Sequence, residues 1–84
     1  MIGMESRIAL ISIIVENLES VEELNQMLHE HSNFIFGRMG IPYKEKHICV
    51  ISIAIDASQD TISALAGKIG RLDGVTTKTT YSNF

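Results

Sequence analysis

Three histidines and one cysteine are the residues of this 84-residue chain best suited to metal chemistry. His29 and His31 flank Glu30, and His47 lies two residues before Cys49. Imidazole and thiolate are donors that transition metals select. Helical residues two apart point about 200° from each other, so His29 and His31 cannot ligate together from one regular helix. On a strand, residues two apart share a face, so His47 and Cys49 would point the same way. A metal site drawn from His29, His31, His47 and Cys49 would be completed across a subunit interface. The plainer expectation is no cofactor. Cys49 is then a core thiol, His29 and His47 are solvated, and His31 closes a helix whose negative end it complements.

A second group of side chains could hold an anion. Arg38, Lys44, Lys46 and His47 surround the segment Gly40–Lys46, which also carries Tyr43. Aromatic and cationic groups together suit a small anionic or amino-acid-like ligand. The same cluster could meet the acidic Glu16–Glu23 segment of a neighbouring subunit, or stay solvated as an ordinary charged hairpin. Catalytic arrangements are poor. No Ser/His/Asp set follows from the spacing, and no phosphate-cradling glycine loop is present. Asp56 and Asp60 flank a helix entry, where aspartates cap. The expectation is a protein that is not an enzyme.

The elements that must position these groups read clearly. Arg7–Glu16 is rich in Ile and Val and predicts a first strand. Ser20 and Glu23 form a capping-box pattern opening a helix, whose apolar stripe runs through Val21, Leu24, Leu28 and His31. Asn33–Met39 predicts a second strand, and Gly40–Lys46 a long loop broken by Gly40 and Pro42. His47–Asp56 predicts a third strand. Ser58 caps a second helix with a core stripe of Ile62, Leu65, Ala66, Ile69 and Leu72, stopped at Asp73-Gly74. Gly67 and Gly70 are costly inside it; with Ser63 they form a small-residue strip that suits close packing or a ligand. Val75–Tyr81 is a Thr-rich strand whose Lys78 suits a sheet edge.

That order is β-α-β-β-α-β. It predicts an α+β, ferredoxin-like fold: a four-stranded antiparallel sheet with two helices on one face, in a single domain over residues 1–84 with its core at about 5–82. The first and third strands are apolar on both faces, whereas a half-buried strand alternates. The serine-free sets, Ala9-Ile11-Ile13-Val15 and Cys49-Ile51-Ile53-Ile55, should face the helices. The other face then presents Leu10, Ser12, Ile14, Val50, Ser52 and Ala54. Two helices cannot cover it, and soluble monomers rarely leave such a patch bare. The expectation is a homodimer or homotetramer joined through that face.

Composition excludes several classes. The net charge is −3, unlike that of nucleic-acid binders and of proteins that dock on acidic membranes. One cysteine excludes a disulfide within the chain. No 18-residue apolar run exists, and no signal peptide is evident, so a cytoplasmic protein is expected.

The segments SRIALISIIVEN, LHEHSNFIFGRMGIPYKEK and DTISALAGKIGRLDGVTTKT resemble the iron-only ([FeFe]) hydrogenase system regulator family, from Glu5 to about Ser82. The resemblance implies an ACT-like domain from bacteria that carry the [FeFe]-hydrogenase maturation system. In ACT-like domains small ligands sit at subunit interfaces near the loop after the first strand, here Glu16-Asn17. A more distant similarity is to the C-terminal, metal-sensing domain of nickel-responsive regulators. His29 or His31 matches its helix-end ligand, and Cys49 lies one residue from its cysteine. Its H-x-H pair falls on Gly40 and Pro42, so square-planar nickel coordination is not implied.

The combined reading is a non-catalytic regulatory domain that binds a small ligand through Glu16, Asn17, Arg38, Tyr43 and Lys44. Its partners are itself and a separate DNA-binding or hydrogenase-system protein. The alternative is a metal-binding sensor. Because no helix carries a basic face for the major groove, the chain alone should not hold duplex DNA. A mobility-shift titration at physiological salt checks this; salt-sensitive submicromolar binding would contradict it.

Overall fold

The structure is a computed structural model that describes residues 6–83. Residues 1–5, whose sequence reads as polar or irregular, lie outside them. The chain forms β1 (Arg7–Val15), α1 (Val21–Glu30), β2 (Ile35–Tyr43), β3 (Ile48–Ala57), α2 (Gln59–Gly70) and β4 (Val75–Tyr81). The strands lie side by side in the order β2-β3-β1-β4, each pair antiparallel. This is the ferredoxin-like arrangement, with the most apolar strands, β1 and β3, at its centre.

The pairing of β1 with β3 sets the core. Ile11 faces Ile53 and Ile13 faces Ile51, so the buried sets of both strands fall on one side. Ala9, Ile11, Ile13 and Val15 pack there with Ile51, Ile53, Ile55 and Ala57. Leu24 and Leu28 of α1, and Ile62, Leu65 and Ile69 of α2, close over them. Each buried Ile, Leu or Val side chain among them contributes roughly 1.5–3 kcal/mol. A slip of one residue would turn the whole set outward, so the register is strongly specified. Cys49 sits half-buried on the helix side, packed against the core.

Several boundaries differ from the sequence reading, each for a physical reason. The expected loop Gly40–Lys46 is mostly strand: β2 runs on to Tyr43. Pro42 fits because β2 is an edge strand, where a missing N–H breaks no ladder. The remaining connection is a tight 3-10 turn over Lys44–Lys46, followed by His47 with φ 56° and ψ 41°. His47 therefore lies outside β3, and its expected common face with Cys49 does not hold. The α2 helix ends at Gly70 rather than at Asp73. A Cβ at Gly70 would come within 3.2 Å of Thr77 Oγ1, so this glycine lets α2 lie close on β4. Ser58 caps α2 as expected, accepting from the Thr61 N–H at 3.1 Å.

The capping box at Ser20 does not form. Ser20 is buried, and its hydroxyl donates instead to the Asp73 carbonyl at 2.7 Å. Asn17 takes over the capping role for a 3-10 turn at Leu18–Ser20 that leads into α1: its Oδ1 accepts from the Glu19 N–H at 3.0 Å. Asn17 Nδ2 donates to the Asp73 carboxylate at 2.6 Å, and the Glu16 N–H donates to the Gly74 carbonyl at 2.7 Å. These bonds tie the end of β1 to the turn before β4. Gly74 has φ 71°, and a Cβ there would lie 2.6 Å from Asn17 Cβ and 2.8 Å from its backbone nitrogen.

Gly74→Ala should therefore destabilise the fold by more than about 1 kcal/mol, through both the left-handed backbone and the collision. For a domain this small, that lowers Tm by at least about 4 °C in a thermal melt. Asn17→Ala should also destabilise, by about 1–2 kcal/mol, through the lost cap and side-chain bond. A Gly74→Ala protein that melts at or above the wild-type temperature would contradict the packing described.

Candidate functional site

The end of the sheet near the β2–β3 turn carries a half-open cleft of about 300 Å³. Its lining comes from two segments distant in sequence. The turn after β1 supplies Leu18; the hairpin supplies Pro42, Tyr43, Lys44, His47 and Ile48. They meet because Val15, the last residue of β1, pairs with Cys49, which pairs in turn with Pro42. Tyr43 pairs with Ile48, so the two stand side by side. The walls are mainly apolar, and Lys44 and His47 are the lining residues whose side chains end in basic nitrogen groups.

The candidate ligand residues divide here. Tyr43 and Lys44 line the cleft. Asn17 has both side-chain groups engaged, with Glu19 and Asp73, and Glu16 is fastened by its backbone to Gly74. Both precede Leu18 in the chain without lining the cleft. Arg38 lies elsewhere. It pairs with Ile53 on the helix side of the sheet and donates to Asn25 Oδ1 on α1. Five residues of strand, about 16 Å, separate it from Tyr43. His47, read in the sequence as part of the basic cluster, lines the cleft. Leu18 and Ile48 were not anticipated as lining residues; they become visible only once the β1 turn is folded against the hairpin.

The second feature is the sheet face away from the helices. Leu10, Ser12, Ile14, Val50, Ser52 and Ala54 share that face, paired as Leu10–Ala54, Ser12–Ser52 and Ile14–Val50. The β2 strand extends it: Met39 stands beside Ser52, Ile41 beside Val50 and Tyr43 beside Ile48. Leu10 is 45% exposed, Met39 46% and Ile41 48%. The alternation Met39-x-Ile41-x-Tyr43 was the signal for this extension, hidden by Gly40 and Pro42, which read as loop residues. On the far side β4 contributes Thr76, Lys78 and Thr80, so the face is apolar over β2, β3 and β1 and polar at one border.

The candidate metal ligands are dispersed. His29 is exposed near the end of α1, and His31 bonds through Nδ1 to the Met27 carbonyl at 2.9 Å. His47 borders the cleft, and Cys49 faces the helix layer. Among the described residues no three His, Cys, Asp or Glu side chains gather as one chain's metal site would require. Also among them, no helix is long and apolar enough to cross a membrane.

Comparison with known proteins places this geometry. The solved structure of the protein TM1266 from Thermotoga maritima superposes with a TM-score of 0.87 at 33% identity, over 92% of this chain and 98% of that one. A formyltetrahydrofolate deformylase from Pseudomonas putida KT2440 matches with a TM-score of 0.67 at 10% identity, over 92% of this chain and 29% of that one. The divalent ion tolerance protein CutA1 from Ehrlichia chaffeensis matches with a TM-score of 0.50 at 16% identity, over 94% and 84% of the two chains. These last two share the fold alone. No curated protein matches the chain. A family model described as "TM1266-like: Iron-only hydrogenase system regulator, putative" matches residues 7–79, and with the Thermotoga structure it shows that the chain belongs to the TM1266-like, iron-only hydrogenase system regulator family.

Proposed function

We propose that this chain is a non-catalytic regulatory domain that assembles with copies of itself and binds a small ligand. Membership of a family described as regulators of the iron-only hydrogenase system supports the regulatory association. The observation that carries the assembly is the bare outer face of the sheet. A contiguous apolar surface spanning three strands costs free energy in water at roughly 25 cal/mol per Å².

A second copy of the chain is the occupant that this face fits. Along its middle row stand Met39, Ser52, Ser12 and Lys78, so no carboxylate stands in that row to pair with a charged partner. Apart from Lys78 at the β4 border, the row is apolar or hydroxyl and can pack against an identical face without burying a carboxylate. Four strands at about 4.8 Å spacing and about 30 Å length present some 600 Å² in plane, and more as accessible surface. That is comparable with the roughly 800 Å² per partner of a standard stable interface. Regulation of transcription, if exerted, then requires a separate DNA-binding partner.

Light scattering at micromolar concentration tests the assembly. The wild type should run as a dimer or tetramer. Leu10→Lys with Ile41→Lys should dissociate it while leaving the circular dichroism spectrum folded, because both side chains are exposed in the single chain. A wild type that runs as a 9.3 kDa monomer would overturn the proposal.

A further inference from the structure

We infer that the cleft at the hairpin end binds a small monocarboxylate with a compact apolar body, held through Lys44. The inference deepens the ligand-binding half of the proposed function and rests on it.

The chemistry of the lining selects the class. Leu18, Pro42, Tyr43 and Ile48 form apolar walls, and Leu18 is 48% exposed although it is a leucine on a short turn. An apolar body placed among these four removes surface from water that the core does not cover. Lys44 and His47 are the lining residues that can carry charge, and that charge is positive. Among the described residues no Asp or Glu lines the cleft to hold an ammonium group. The other candidate cation, Arg38, is taken by Asn25, whereas no carboxylate engages Lys44 among the described residues. A phosphate or other polyanion would surrender strong hydration to one ammonium and apolar walls, a costly exchange. One carboxylate with a hydrocarbon body matches both halves of the site.

Size agrees. A cleft of about 300 Å³ lies at the lower end of the roughly 300–1,000 Å³ range of small-molecule sites, which suits a compact ligand. Position supplies a regulatory consequence. Tyr43 and Ile48 belong both to the cleft and to the outer face of the sheet, so a ligand there touches the surface proposed to join two copies. It also bridges the hairpin to the Leu18 turn, which Asn17 and Ser20 fasten to Asp73.

The test uses the full chain and a defined probe, 3-phenylpropanoate, with its neutral amide as control. In calorimetric titration the acid should bind and the amide should bind at least tenfold more weakly. Lys44→Ala should weaken the acid at least tenfold. Lys46→Ala, on the same turn but outside the lining, should leave it unchanged. No binding at millimolar acid, equal binding of the amide, or unchanged binding by Lys44→Ala each overturns the inference. Light scattering on the same samples keeps the two proposals apart. An oligomer that ignores the acid removes this ligand class and leaves the assembly. A monomer that binds the acid removes the assembly and leaves the site.

Discussion

The antiparallel pairing of β1 with β3 is the constraint on which the rest of the molecule depends. It places Ile11 beside Ile53 and Ile13 beside Ile51, and so creates a continuous apolar floor for both helices. The same pairing necessarily aligns the opposite sets, Leu10 with Ala54 and Ile14 with Val50, on the side that the helices leave open. One register thus makes both the core and the surface proposed for assembly. A shift of register would turn both sets over together, because they alternate along the same strands. On the same face β4 carries polar residues instead, at Thr76, Lys78 and Thr80.

The fold was legible in the residues because its strongest signals are periodic. The helical stripes at Leu24 and Leu28, and at Ile62, Leu65 and Ile69, fall on the core as their spacing requires. The serine-free sets of β1 and β3 face the helices, and Ser58 caps α2. What sequence could not show was long-range replacement of local chemistry. Ser20 and Glu23 have the spacing of a capping box, yet the Asp73 carbonyl, fifty-three residues away in the chain, captures the Ser20 hydroxyl. Gly40 and Pro42 have the chemistry of a loop, yet an edge strand tolerates both. The cleft was only half visible. Tyr43 and Lys44 announce themselves by type, whereas Leu18 and Ile48 read as ordinary apolar residues until the turn and the hairpin meet.

The network around Asn17 links these features. One side chain caps the turn that carries Leu18 and bonds to Asp73; the adjacent Gly74 has no Cβ and so lets the two segments approach. The position of Leu18 in the cleft is therefore set by the turn before β4 as well as by β1. Asn17, first singled out as a ligand contact, has its side chain engaged with Glu19 and Asp73. In the site proposed here it would hold a lining residue in place, as binding sites require.

Geometry then gives the regulatory reading its physical content. A ligand can shift an assembly only by its difference in affinity for the assembled and separated states. In this chain the cleft and the outer face are adjoining surfaces of one hairpin, sharing Tyr43 and Ile48. A second copy seated on the face would lie against the same aromatic ring that a bound acid touches. The acid would then meet a different wall in the assembled state than in the separated one, and that difference is the coupling free energy. No domain rotation or unfolding step is needed. The tight turn Lys44–Lys46, with His47 in a left-handed conformation, follows directly on Tyr43, so the proposed carboxylate contact and the shared ring stand on adjacent residues.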